Sequence, residues 1–164
     1  MISYREIRVE EKQQLKELID TVLGNLERKE FFIPFTEQDL EDMFNKNKVI
    51  TYGAYDEGKL VGTAQLFFDE SYTAEIKKIL NIDSNKIAEF GGYLVLKEYR
   101  NKGIMKHLED MLISKLKEMN YEYAVITVHP DNIASNKATE YTGAKIAKTI
   151  NLGDYLRNIY LLKI

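Results

Sequence analysis

A nearly unbroken apolar segment at residues 123–128, directly after a long amphipathic pattern, restricts the folds open to this chain. Residues 88–96 have the composition of a strand, residues 97–102 form a charged loop, and apolar side chains then recur with helical spacing from Ile104 to Met119. A strand that is apolar at almost every position is covered on both faces, as in a parallel pair joined by a helical crossover. The sequence therefore predicts a strand–helix–strand unit.

Antiparallel elements are predicted on both sides of this unit. Residues 49–55 and 60–68 are rich in β-branched and aromatic side chains and are joined by a glycine-containing turn, which predicts a hairpin in the middle of the sheet. Apolar spacing predicts a helix from Leu15 to Leu26. The other predicted elements are a first strand (3–9), a helix capped by Thr36 and Asp39 and running to about Phe44, a charged and partly helical excursion (69–86), a short helix (133–142) and two closing strands (144–152 and 157–164).

Length and composition limit the classes of protein that remain. A chain of 164 residues suits one domain, residues 1–164, around a single core. A net charge of −3 does not favour binding to nucleic acid, and no run of apolar residues reaches the length of a membrane span. The chain has no cysteine and only two histidines, so a cysteine nucleophile is excluded and no metal site is expected. A polar, charged start favours a cytoplasmic location.

A candidate phosphate-binding loop lies between the central strand and the crossover helix. Arg100 and Lys102 supply positive charge, and Gly103 stands at the first turn of the helix, where several backbone N–H groups are unpaired and point the same way. The loop has neither the spacing of a nucleotide P-loop nor that of a dinucleotide fingerprint. An ordinary turn with a solvated basic loop is the alternative interpretation of this stretch.

The stretch Arg100-Asn101-Lys102-Gly103-Ile104-Met105 resembles the central motif of the GNAT superfamily of N-acetyltransferases. That motif has Arg or Gln, two residues, Gly, one residue, then Gly or Ala, so Met105 departs from it. The order of predicted elements resembles the superfamily along nearly the whole chain. The resemblance implies a mixed α/β fold with a mostly antiparallel twisted sheet of about six to seven strands and about four helices, one parallel pair being splayed to hold acetyl-CoA.

The resemblance also implies roles for the central strand. In the superfamily this strand carries a bulge, and the pantetheine arm of the cofactor binds to main-chain groups in the gap beside it. Gly91 and Gly92 would supply the bulge, unless they only relieve crowding. The backbone groups that the resemblance assigns to the arm are those of Leu94, Val95 and Leu96, with an N–H near Leu94 or Val95 stabilising the thioester oxygen as it gains charge.

A second motif follows the apolar strand. Asn132, Ser135 and Gly143 have the spacing that many members of the superfamily show at this point, which implies that Asn132 and Ser135 bind the pantetheine or phosphate end of acetyl-CoA. The alternative is structural, with Asn132 as a helix cap and Ser135 in the first turn. Both interpretations are compatible with one another.

Acetyl transfer to an amine requires a base, because an amine with a pKa of about 10 is charged at neutral pH and cannot attack. Glu89 is the candidate, since it precedes Val95 by six residues, as a glutamate does in the histone-acetylating branch; ordered water is the alternative. The tyrosine that commonly serves as the acid is replaced by Thr139, which leaves Tyr93 or solvent for that role. His129 ranks below Glu89 as a base.

The acceptor is expected to be a small-molecule or peptide amine, bound near the three phenylalanines of residues 31–35, the excursion at 69–86 or the turn at 153–155. Direct attack in a ternary complex is expected, because the chain has no cysteine. Two other functions stay open. One is a non-catalytic acyl-CoA-binding or regulatory module; the other is an interaction protein whose edge strands form dimers, and a homodimer is also compatible with the enzyme.

Overall fold

The computed structural model describes residues 1–164 and contains one eight-stranded sheet with five α-helices. The strands are β1 (Ile2–Glu6), β2 (Val49–Asp56), β3 (Lys59–Phe67), β4 (Ile87–Phe90), β5 (Leu94–Val95), β6 (Tyr123–Val128), β7 (Lys145–Leu152) and β8 (Tyr155–Lys163). The helices are α1 (Lys12–Gly24), α2 (Glu37–Asp42), α3 (Glu70–Leu80), α4 (Ile104–Glu118) and α5 (Ile133–Tyr141).

The strand order is β1-β2-β3-β4-β6-β8-β7, with β5 paired to β3 beside β4. Every pairing is antiparallel except that of β4 with β6. α4 lies in the chain before β6 and forms the crossover of this parallel pair. The mixed α/β fold and its single parallel pair are confirmed. The strand count exceeds the predicted six to seven because the predicted strand 88–96 is divided into β4 and β5. The helix count exceeds the predicted four because the excursion at 69–86 contains a full helix, α3.

Local sequence signals explain where the helices begin and end. Thr36 and Asp39 form a reciprocal capping box at the start of α2, with bonds of 3.0 and 2.8 Å. The carboxylate of Asp69 accepts the Ser71 N–H at 3.1 Å and caps α3, which ends at Asn81 in the left-handed conformation. α2 precedes β2 and α3 follows β3, so both helices lie at the same end of this antiparallel pair.

The core lies on both faces of the sheet. A large apolar cluster includes the buried faces of α1 and α4, such as Leu15 and Leu112, each fully buried. A smaller cluster lies under α3, where Ile76 packs with Ile87 of β4. α3 therefore packs against the start of the parallel pair, at Ile87 of β4. No helix combines the length and the apolar character needed to cross a bilayer.

Candidate active site

The two parallel strands separate beyond Glu89. Three residue pairs join β4 to β6, the last being Glu89 with Val125, while β5 pairs only with β3. Past Val125, β6 has β8 as its only partner. A gap therefore opens in the middle of the sheet, and the backbone groups along its two edges have no strand partner.

Two glycines account for the break between β4 and β5. A Cβ on Gly91 would lie 2.4 Å from the Phe67 ring and 2.8 Å from the side-chain oxygen of Gln65, and a Cβ on Gly92 would lie 2.1 Å from the Phe32 ring. The Gly91 N–H still donates to the Gln65 carbonyl at 2.8 Å. A Cβ at either position would force a neighbouring side chain to move, which favours glycine at both.

The backbone direction of β5 decides which of its groups face the gap. The Leu96 N–H donates to the Val61 carbonyl of β3 at 2.9 Å. Backbone groups alternate between the two edges of a strand, so those of Leu94 also point toward β3 and those of Val95 point into the gap. The Val95 N–H therefore faces the gap, and the Leu96 N–H is bonded to β3; the role of Val95 as an oxyanion donor stays a prediction.

The loop before α4 leaves the start of that helix open. Gly103 has a φ of 78°, and no atom lies within 4 Å of a Cβ placed on it. The His107 N–H donates to the Gly103 carbonyl at 3.0 Å, so the preceding N–H groups have no partner within the helix. Asn101 is also left-handed, with a φ of 61°. An unobstructed group of N–H donors at a helix N-terminus is suited to bind phosphate.

One cavity of about 1160 Å³ extends from this helix start through the gap to the aromatic loop, residues 25–35. Leu96 lies outside its lining, and so does Lys102, whose ammonium is 5.4 Å from the Tyr99 ring centroid. The other predicted site residues line it together: Glu89, Tyr93, Leu94, Val95, Arg100, Asn101, Gly103, Ile104, Met105, Asn132 and Ser135.

The second motif contributes both structure and cavity wall. The side-chain oxygen of Asn132 accepts the Ser135 N–H at 3.3 Å and caps α5, while both residues line the cavity. Thr139, where a tyrosine is common, is buried and donates its hydroxyl to the Ser135 carbonyl at 2.9 Å. The hydroxyl of Thr139 is thus engaged by its own helix.

Glu89 has an environment that disfavours its charge. Its carboxyl makes no hydrogen bond or ion pair within the protein, and burial raises its pKa to about 7, with smaller contributions from the negative charges of Glu75 and Asp39. A carboxylate that ionises near neutrality can both accept and release a proton at physiological pH. Glu89 lines the cavity, and its role as the base stays a prediction.

A second acidic residue, Glu109 of α4, lines the cavity without having been predicted. Burial, followed by the charge of Asp110, raises its pKa to about 7, and its Oε1 atom is buried without a hydrogen-bond partner. The Tyr93 hydroxyl is also buried and unpartnered; burial and the nearby Glu109 raise its pKa well above the ordinary value. The helical spacing of four residues from Met105 to Glu109 is the sequence signal for this position, because it places both on one helix face.

The aromatic loop closes the other end of the cavity. Its side chains Phe31, Phe32 and Phe35 all line the cavity, and their contact with an acceptor stays a prediction. Phe32 and Phe35 pack edge to face with centroids 5.3 Å apart. The loop is held to the end of β6 by an ion pair of 3.0 Å between Arg28 and Asp131. His129, buried beside Phe31, accepts the Asp131 N–H through Nδ1 at 3.0 Å and lies outside the cavity lining.

Comparison with known proteins agrees with this geometry. The model of the acetyltransferase (GNAT) family matches residues 21–143, and the chain belongs to that family. No curated protein matches the sequence. Among solved structures, an acetyltransferase of the GNAT family from Staphylococcus aureus Mu50 is 21% identical with a TM-score of 0.77, and 99% of each chain is covered.

Two further structures have the same fold at lower identity. The ribosomal-protein-S18-alanine N-acetyltransferase from Escherichia coli is 14% identical with a TM-score of 0.74, covering 100% of this chain and 94% of its own. The PaiA N-acetyltransferase from Thermoplasma acidophilum in complex with coenzyme A is 16% identical with a TM-score of 0.68, covering 100% and 99%. At these identities the similarity concerns the fold.

Proposed function

We propose that this acetyltransferase transfers an acetyl group from acetyl-CoA to the primary amine of a small molecule or peptide, by direct attack in a ternary complex. The observation that carries the proposal is the opened sheet, which has a free helix N-terminus at one end of the gap and a carboxyl of raised pKa, Glu89, beside it. Membership of the family and the coenzyme A complex of a structural neighbour support the choice of donor.

The residues along the cavity fit acetyl-CoA. The unpaired N–H groups after Gly103, together with the Arg100 guanidinium, suit a pyrophosphate, and the open space at Gly103 leaves room for its approach. The unpaired strand edges suit the amide groups of a pantetheine arm, with Asn132 and Ser135 on the facing side. Bound acetyl-CoA supplies the activated acetyl thioester.

Three groups of the protein have separate roles in the acetyl transfer. Glu89 accepts the proton that the ammonium of the acceptor loses, so that the neutral nitrogen forms the new bond to the acetyl carbon as the carbon–sulfur bond breaks. The Val95 N–H donates to the carbonyl oxygen while that oxygen gains charge. Tyr93, which keeps its proton at neutral pH, donates a hydrogen bond to the departing sulfur, and solvent completes the protonation.

Glu89 and Tyr93 reach the gap from opposite faces of the sheet. Successive residues of β4 point to opposite faces, and the Tyr93 ring packs at 6.4 Å against Phe90, the neighbour of Glu89. A thioester held in the gap would therefore have the base on one side and the hydroxyl on the other. This placement supports separate roles for the two residues.

The test is a calorimetric titration with acetyl-CoA, with dephospho-CoA and ATP as comparisons, followed by a panel of primary amines monitored for free thiol release. Specific binding and amine-dependent thiol release are expected. Binding without turnover of any amine would favour the non-catalytic acyl-CoA-binding module, and no binding would leave the interaction protein as the better interpretation.

A further inference from the structure

Arg157, in β8, is a buried cation without a carboxylate partner. Only 2% of the residue is exposed, and none of the ion pairs of the protein includes it. Its guanidinium donates to two backbone carbonyls, those of Leu156 at 2.7 Å and Glu30 at 2.9 Å. A guanidinium has five N–H donors and stays protonated, so a buried one with no counter-ion is unusual and costly.

The position of Arg157 relates it to the proposed base. Both residues line the cavity. Glu89 pairs with Val125, and β6 and β8 pair regularly from Tyr123 to Val128, so the register places both side chains on one face of the sheet. At about 3.3 Å per residue along a strand and about 4.8 Å between strands, their Cα atoms are roughly 16 Å apart.

The charges at the two ends of this face are opposite. Glu89 lies close enough to Asp39 and Glu75 for their charges to raise its pKa, so that end attracts a cationic ammonium group. Arg157 is the buried cation at the other end, under the aromatic loop that its bond to Glu30 helps to hold. The cavity therefore matches a short molecule with an amine at one end and a negative charge at the other.

We propose that Arg157 binds a carboxylate of the acceptor, so that the acetyl acceptor is a small amino carboxylate. This inference rests on the proposed function and names its substrate class. The two bonds to Leu156 and Glu30 fix the plane of the guanidinium and leave donors for the forked, two-bond contact that a carboxylate makes with arginine. Binding the carboxylate supplies the counter-ion that the folded protein lacks.

The experiment compares amino acids with their uncharged amides as acceptors. Glycine, β-alanine, 4-aminobutyrate and 6-aminohexanoate are each paired with the corresponding amide, which keeps the size and amine but removes the carboxylate charge. At least one acid is expected to have a KM about tenfold to a hundredfold below its amide, the range of one charge-assisted contact. Arg157→Gln should abolish that difference, and Arg157→Lys should retain part of it. Arg8→Gln, which removes an exposed arginine outside the cavity, should leave it unchanged.

Because Arg157 also anchors Glu30, acetyl-CoA affinity is measured for each variant. An Arg157→Gln variant that loses acetyl-CoA binding, or a wild-type protein that uses acids and amides equally, would overturn the inference while leaving acetyl transfer intact. If no amine is acetylated, the protein saturated with coenzyme A is titrated with the same pairs. Arg157-dependent binding of an acid over its amide would then retain the carboxylate site while the proposed function fails, and equal binding would refute both.

Discussion

Replacing Glu89 by glutamine removes one ionisable group and almost no volume, so its effect can be worked out from the pKa. The pKa of Glu89 is raised from 4.5 to about 7, chiefly by burial, so the folded protein holds this proton more tightly than the unfolded chain. Its contribution to stability is fully present below pH 4.5 and is lost as the pH rises through 7. At about 1.4 kcal/mol per pKa unit, the loss approaches ~3 kcal/mol.

Urea unfolding of both proteins at pH 5 and pH 8 measures this contribution. The free energy of unfolding of Glu89→Gln, relative to wild type, should rise by about 2.5 kcal/mol between pH 5 and pH 8, because part of the total is already lost at pH 5. Glu109, whose pKa is also raised to about 7, titrates in both proteins and cancels from the comparison. The same variant should lose about a hundredfold or more in kcat/KM and the limb of the pH–rate profile near pH 7. A stability difference that does not change with pH would refute the raised pKa of Glu89, and an unchanged pH–rate profile would refute its role as the base. Glu10→Gln, which alters an exposed carboxylate, is the control and should change neither.

Three other substitutions test separate parts of the site. Gly103→Glu should lower acetyl-CoA affinity more than tenfold by placing a negative charge at the proposed phosphate site. Gly58→Glu, at an equally open left-handed glycine in the β2–β3 turn, should not lower it. Equal affinities of the two variants in calorimetry would contradict the proposed site. Gly92→Ala should lower the free energy of unfolding by about 1–3 kcal/mol in thermal unfolding, because its Cβ meets the Phe32 ring. Phe32→Leu in the same chain should recover part of that stability. An unchanged stability of Gly92→Ala would show that the contact is not rigid. Thr36→Ala should cost about 1 kcal/mol by removing the α2 cap, with an unchanged Tm counting against it.

Elements with strong periodic patterns could be predicted from the sequence. The apolar run of β6 after the α4 pattern was sufficient to predict the parallel pair, and Thr36 with Asp39 predicted the start of α2. The division of residues 88–96 could not be predicted, because strand composition does not show that β4 pairs with two neighbours whereas β5 pairs with one. Gly91 and Gly92 indicated an irregularity but not its extent.

The geometry at the start of α4 was more predictable than that at the opposite end of the cavity. A glycine before a helix is a local signal, and Gly103 does stand free at the start of α4. Glu109 and Arg157 carry no comparable signal, because a charged residue in an amphipathic helix or at the start of a strand is ordinarily exposed. Their burial arises from tertiary packing around the cavity. The departure at Thr139 was visible in the sequence, and the structure adds that its hydroxyl bonds within α5.

The narrow junction between β4 and β6 has a further consequence for the motions of the protein. Only three residue pairs join the sheet half made of β1 to β5 to the half made of β6, β8 and β7. Beyond this junction the edges of β5 and β6 that face the gap have no ladder hydrogen bonds, so their amides can exchange at a lower free energy than that of global unfolding. A ligand in the gap would act as a missing strand, so amide hydrogen exchange along both facing edges should slow together when it binds. Acetyl-CoA bound in the gap would then also stabilise the sheet, and its release would reverse this stabilisation.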